Sequence, residues 1–345
     1  MSVAPRDLLD KLLDGIDLTR LEAETLLGCL TDGECPPAMA GALLAALRAK
    51  GETPDEILGL ASAMRNIARR PTFDSDVGLT DVVGTGGDGS GSLNISTGTA
   101  LLAAACGVPI VKHGNRSISS RSGSADALES LGLQMPLDES AAAACLQMTG
   151  FTFLFAPYYH PAMKHLAPVR SALGVRTVFN ILGPLTNPAS PGFNLIGAYS
   201  PDMAALMAQA LAGAGIERAF VVHGEPGWDE ATPVGPFLLF DVGPGSVTKT
   251  TRDPAEWGLA RCRAEDLRGG DAEHNASRLR AVLCGEEHGP HRDALMLGAA
   301  LVLELTGRCE TPTEGIAAAA AALDSGRGAE LLQAIADAGR ELGAV

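Results

Sequence analysis

The chain has 345 residues, 46% hydrophobic and 19% charged, a composition that excludes a disordered polymer. At about 150 residues per domain this length suggests roughly two domains, enough to bury a core without disulfide or metal staples. Asp and Glu (41) outnumber Lys and Arg (26), so the net charge of −15 argues against nucleic acid or an anionic membrane as partner, while leaving room for a local basic pocket.

The amino terminus, MSVAPRDLLDKLLDG, is charged and lacks a long apolar core, which predicts no signal peptide. Residues 1 to about 70 read as helices alone. Leu8, Leu9, Leu12 and Leu13 recur at helical spacing. Thr19 ahead of Glu22 marks a second helix, Pro36-Pro37 opens a third, and Thr53-Pro54-Asp55-Glu56 starts a fourth. A unit of this kind suits packing or dimerisation. The polar, turn-rich stretch from Pro71 to Leu79 predicts a boundary.

Beyond it, short apolar strands alternate with helices. Strands are predicted at Asp81–Val83, Val108–Val111, Phe151–Phe155, Leu195–Tyr199 and Ala219–Val222, and helices at Ile95–Cys106 and Ala125–Leu131. This grammar implies a mainly parallel α/β sheet with ligands at the carboxyl ends of its strands. Phe237–Val242 and Val247–Lys249 flank Gly243-Pro244-Gly245 and read as an antiparallel hairpin. The carboxyl end is helical around the alanine run 317–322. The seven cysteines are scattered, odd in number and form no C-x-x-C, which predicts reduced thiols in a cytoplasmic protein.

Five segments carry candidate chemistry. Gly84-Thr85-Gly86-Gly87-Asp88-Gly89 follows a strand and fits G-x-G-x-x-G. A dinucleotide fold needs an acidic residue about 20 positions on, for the ribose. Here the next strand ends in basic Lys112-His113, and Asp88 inside the loop repels a bare pyrophosphate unless a cation intervenes. Asn94-Ile95-Ser96-Thr97 stands at a helix start, where the polar side chains either cap the helix or cap it and also meet a phosphate. Lys112 to Ser120 gathers two cations, an imidazole, an amide and three hydroxyls after a strand, a donor-rich cradle for a polyphosphate. Asp229-Glu230 is either surface charge or, beside phosphate loops, a pair of Mg²⁺ ligands. Arg170 fits a planar carboxylate through two parallel N–H bonds, whereas Arg176 reads more readily as a structural ion pair. His160 and His165, five apart on a predicted helix, lack a metal spacing. No P-loop, H-E-x-x-H or G-x-S-x-G motif is present, and nothing points to a covalent nucleophile.

In this order the segments 81–88, 94–97, 112–120, Gly123-Ser124-Ala125-Asp126, 169–188, His223-Gly224, Asp229-Glu230 and Gly269-Gly270-Asp271-Ala272 resemble the anthranilate phosphoribosyltransferase family over nearly the whole chain. The resemblance implies transfer of a phosphoribosyl group from phosphoribosyl pyrophosphate (PRPP) to anthranilate, with Mg²⁺, as the second step of tryptophan synthesis from chorismate. It implies a small N-terminal helical domain (residues 1–75, joined by about 170–188) that mediates a homodimer. A larger, mainly parallel α/β domain (76–345) of the nucleoside phosphorylase/phosphoribosyltransferase type would follow. Carried over by position, Gly84, Gly87, Asp88, Ser92, Asn94, Ile95, Ser96, Thr97, Lys112, His113, Gly114, Asn115, Arg116, Ser117, Ile118, Ser119, Ser120 and Ser124 would hold PRPP. Gly84, His113, Asn115, His160, Arg170 and Pro184 would meet anthranilate, and Ser96, Asp229 and Glu230 would bind Mg²⁺. The chain departs from the pattern at Ser92 (usually Thr), Trp228 (usually Leu) and Gly298 (usually Asn). A pyrimidine nucleoside phosphorylase, which needs no acidic metal pair, and a non-catalytic nucleic-acid-binding paralogue are the rival readings.

Overall fold

The computed structural model describes residues 4–74, 78–117 and 121–343. Its first part is four helices: α1 (Pro5–Leu13), α2 (Arg20–Thr31), α3 (Pro37–Lys50) and α4 (Pro54–Asn66). Local chemistry starts them. The Thr19 and Thr53 hydroxyls accept from the amides of Glu22 and Glu56, whose carboxylates return to the threonine amides, so α2 and α4 each open on a capping box. Pro37 and Pro54 occupy first-turn positions, where a missing N–H costs nothing.

The rest alternates strands and helices: β1 (Thr80–Gly84), α5 (Ile95–Ala105), β2 (Ile110–Gly114), α6 (Ser124–Leu131), α7 (Glu139–Thr149), β3 (Phe151–Phe155), α8 (Ala156–Tyr159), α9 (Ala167–Leu173), α10 (Phe179–Leu182), β4 (Phe193–Gly197), α11 (Pro201–Ala212), β5 (Arg218–Gly224), β6 (Phe237–Gly243), β7 (Ser246–Arg252), and helices α12 (Ala272–Leu283), α13 (Pro290–Leu305), α14 (Pro312–Asp324) and α15 (Arg327–Leu342). The strands form one seven-stranded sheet of order β3-β2-β1-β4-β5-β6-β7. β1 to β5 run parallel, and β6 and β7 add an antiparallel edge. Strand order reverses between β1 and β4, which opens a crevice at the carboxyl ends of those strands.

Side chains of successive strand residues enter opposite cores, the period-two rule for a sheet covered on both faces. Leu195, Phe220, Val222 and Leu239 face a core built with α5 and α12 to α15. Ile196, Val221 and Phe240 face a second core that α11 and α1 to α4 share with Leu166, Val169, Phe179 and Leu182.

Three elements differ from the sequence-based expectation. β2 is shifted, so that Lys112, His113 and Gly114 belong to the strand and pair with Phe153, Leu154 and Phe155 of β3. Proline at 109 cannot donate to a ladder, and its carbonyl instead accepts from the Thr80 amide at the strand entrance. α7 has no counterpart among the predicted elements; Asp138 caps it by accepting from the Ala141 amide at 2.7 Å. His160 and His165 do not share one helix, because Pro161 ends α8 at His160 and a 3₁₀ turn, Pro161–His165, follows.

Candidate active site

The carboxyl ends of β1, β4 and β5 are all glycine: Gly84, Gly197 and Gly224. A Cβ at Gly84 would collide with the Asp229 carboxylate, one at Gly197 with the Asp229 carbonyl, and one at Gly224 with the Glu230 carbonyl. Three adjacent strand ends therefore lack side chains so that Asp229-Glu230 can lie directly across them. The tight turn before it is closed by paired Gly224–Trp228 backbone bonds of 2.9 Å. Trp228 is buried in the core beneath, where its indole adds apolar packing.

Asp229 Oδ2 accepts from the Gly86 amide at 2.6 Å, and Glu230 Oε1 accepts from the Ser96 amide at 3.1 Å. Glu230 thus sits at the amino terminus of α5, where the helix dipole favours negative charge. Burial, together with Asp88, pushes the Asp229 carboxyl up to about 7, and burial with Asp229 pushes Glu230 well above the usual carboxylate range. Two adjacent acids held out of water face more negative charge than the one buried cation nearby, Lys112, can offset, so the donor set fits Mg²⁺. Among the described residues no three His, Cys, Asp or Glu side chains close around a metal.

The loop after β1 is shaped by left-handed glycines: φ is 67° at Gly86 and 74° at Gly87. Asp88 Oδ1 accepts from the Ser90 amide at 3.0 Å and the Ser90 hydroxyl at 2.9 Å, and Ser92 Oγ lies 3.1 Å from Ser90 Oγ. Asp88 Oδ2 also accepts from the Asp229 amide at 3.3 Å, so the glycine loop and the acidic pair are one assembly. Ile95 is core. Asn94 precedes α5 but makes no capping bond, contrary to expectation. Its Oδ1 instead accepts from Asn275 Nδ2 at 2.7 Å, because the Gly269-Gly270 segment packs there and the Gly270 amide donates to Asn275 Oδ1 at 2.7 Å. Thr97 is buried, and its hydroxyl has no partner among the described residues.

The segment from Lys112 to Ser117 is less open than the sequence suggests. Lys112 is 1% exposed; its Nζ donates to the Val82 carbonyl and lies 3.4 Å from Ser96 Oγ. Burial lowers its pKa against the pull of Asp81, Glu230 and Asp229, which makes it a counter-charge beneath the acidic pair. Arg116 is turned onto α6, in ion pairs with Glu129 and Asp126. Asn115 Oδ1 accepts from the Arg116 amide at 2.7 Å, and the Ser117 amide donates to Asp126 at 3.1 Å. Gly114 lacks a Cβ where Ser124 Oγ lies, and that hydroxyl donates to the Asn115 carbonyl at 3.3 Å. Ile118, Ser119 and Ser120 lie outside the described residues.

On the other side of β2 the His113 and His160 rings meet edge to face, 5.1 Å between centroids. His113 Nδ1 is 3.3 Å from the Gly183 carbonyl, and Pro184 is buried beside it in sequence. Burial pushes the two imidazoles down to about 3 and about 4, so both are neutral at pH 7. Arg170, on α9, is half-buried over the Phe179 ring at 5.3 Å. It forms no ion pair among the described residues, and no hydrogen bond there joins it or Asn115 to the histidine pair. The sequence reading missed Asp81, Asn187 and Asn275. Asp81 is buried and accepts from Asn187 Nδ2 at 2.8 Å and the His113 amide at 3.2 Å. A carboxylate at a strand start carries no local signal of that role.

Two family models match the chain, the glycosyl transferase family helical bundle domain over residues 6–68 and the glycosyl transferase family a/b domain over residues 76–329. Anthranilate phosphoribosyltransferase of Methylobacterium nodulans is 48% identical over 318 residues, 92% of this chain and 94% of that protein. That of Rubrobacter xylanophilus is 44% identical over 98% of both. Among solved structures, anthranilate phosphoribosyltransferase from Thermus thermophilus superposes with a TM-score of 0.91 at 45% identity, covering 97% of this chain and 99% of that one. The Saccharomyces cerevisiae enzyme in complex with PRPP and Mg gives 0.84 at 28% identity, over 98% and 94%. With its strand-end glycines, acidic pair and full-length likeness, the chain belongs to the anthranilate phosphoribosyltransferase family.

Proposed function

We infer that this enzyme transfers the phosphoribosyl group of PRPP to anthranilate, giving N-(5′-phosphoribosyl)anthranilate and pyrophosphate. The observation that carries the reading is the acidic pair laid across three glycine strand ends beside the glycine loop. Ser96, Asp229 and Glu230 would hold Mg²⁺. When bound, the ion neutralises charge on the departing pyrophosphate. Residues 84–97 and 112–124 receive the rest of the donor, with the α5 amino terminus and loop amides facing its phosphates. Arg170 takes the anthranilate carboxylate, which its half-buried, acid-free setting favours. Neutral His113 and His160 flank the aromatic ring beside Gly84, Asn115 and Pro184. An imidazole with a pKa near 3 is a poor proton acceptor, so His113 acts by packing and not as a base. The anthranilate amine is already neutral at pH 7, and its orientation toward the ribose carbon is the main contribution required of the protein.

The test is anthranilate fluorescence on mixing with PRPP. It should fall when Mg²⁺ is present and persist when the ion is chelated. Persistence in both, with phosphorolysis of thymidine or uridine, would favour a nucleoside phosphorylase.

We further propose that residues 1–75, joined by about 170–188, form a dimerisation domain on the 76–345 domain. In support, residues 166–185 contribute to the core of the first four helices, and Leu13, Ile16 and Leu21, around the α1–α2 connection, are 68%, 50% and 71% exposed. Leu21→Glu should shift the sedimentation coefficient from dimer to monomer. We also propose a cytoplasmic location, which seven free cysteines suit. No helix among the described residues is long and apolar enough to cross a membrane.

A further inference from the structure

Arg176 has a different environment from the ion pair its sequence context suggests. It is exposed and forms no ion pair among the described residues. Its guanidinium donates to the Gly87 carbonyl and lies over the Tyr199 ring, 4.3 Å from the centroid. Its own carbonyl accepts from Arg48 of α3. Tyr199 is tied in turn to the same loop, because its amide donates to Thr85 Oγ1 at 3.2 Å and the Thr85 amide donates to the Gly197 carbonyl at 3.0 Å. No other donor among the described residues reaches the Gly87 carbonyl.

A loop with four left-handed glycines in six residues, 86 to 91, loses much conformational entropy when it is ordered. Something outside the loop must hold it if the donor is to meet a preformed site. We propose that Arg176 is a positioning residue for donor binding: it pins the Gly87 carbonyl and so ties the glycine loop to α3 and β4. The stacked Tyr199 fixes the plane of the guanidinium, and Arg48 fixes the backbone from which it projects. The arginine acts on PRPP through the loop. This rests on the reading of residues 84–91 as the PRPP loop.

The experiment compares wild type, Arg176→Ala, Arg176→Lys and Tyr199→Phe. Hydrogen exchange on the unliganded proteins reads the loop without any catalysis, and steady-state kinetics reads each substrate. Arg176→Ala should speed exchange in residues 85–91 and raise KM for PRPP about tenfold, with KM for anthranilate changed less than about twofold. Arg176→Lys keeps a donor but loses the flat stack and should fall between. Tyr199→Phe keeps the ring face and should match wild type. Unchanged loop exchange in Arg176→Ala, or equal rises in both KM values, would overturn the pin. If wild type shows no PRPP-dependent transfer, the functional reading fails separately, and loop exchange still decides whether Arg176 holds the loop.

Discussion

Arg170 stands half out of water on α9 with an aromatic ring on one side and no ion pair among the described residues. Desolvation lowers its pKa, as it must for a cation short of a counter-ion, so an incoming carboxylate restores what burial removes. Hydrogen bonds to charged groups contribute about 1.5–3 kcal/mol, or one to two orders of magnitude in affinity. Arg170→Ala should therefore raise KM for anthranilate by about 10- to 100-fold while leaving KM for PRPP within about threefold. Equal changes in both constants, measured by the fluorescence assay, would remove the carboxylate clamp from the mechanism. In the sequence Arg170 stands out as a candidate only through its fork of donors, suited to a planar carboxylate, and through the family resemblance. Lys112 and Arg116 were legible only as cations. Which way each points depends on partners distant in the chain, Glu129 and Asp126 for one and Val82, Asp81 and Glu230 for the other.

α5 and α13 cross closely because glycine stands at the crossing on both. A Cβ at Gly98 would lie 2.5 Å from Leu295 Cδ2, and one at Gly298 would overlap the Thr99 hydroxyl. Beside that contact a cavity of about 10 Å³ is lined by Ser96, Thr99, Glu230 and Gly298, so the crossing also bounds the acidic pair. Asparagine at 298, the residue the family resemblance leads one to expect, would overlap Thr99 as it stands. Gly298→Asn should destabilise the protein by about 1–3 kcal/mol in urea unfolding, as overpacking does. Adding Thr99→Ala should recover most of that loss, giving a large coupling energy in the double-mutant cycle. Additive effects would mean the crossing can widen freely. α2 and α4 could be read directly from Thr19-Glu22 and Thr53-Glu56, because a capping box is closed by residues three apart. The ends of β2 could not, since they are set by pairing with β3, far along the chain.

At the scale of the whole molecule, buried titratable groups oppose one another. Asp81 and Asp229 carry pKa values raised to about 6 and 7, so the folded state binds protons that the unfolded chain has released, and their contribution to stability falls as pH rises from about 4 toward those values. His113 and His160 do the reverse. Their folded values of about 3 and 4 lie below the ordinary 6.5, so the stability they permit is present above pH 6.5 and is lost as pH falls toward the folded values. Each histidine can contribute a slope of about 1.4 kcal/mol per pH unit within that window. Comparing wild type with His113→Gln/His160→Gln isolates this pair, since the buried acids are common to both proteins. In urea unfolding from about pH 7.5 to about 4.5 the double variant should gain stability relative to wild type steadily below pH 6.5, whatever its offset at neutral pH. A difference that stays constant across the range would mean that the two imidazoles are solvated and titrate normally. That would remove the dry pocket in which the anthranilate ring is proposed to sit.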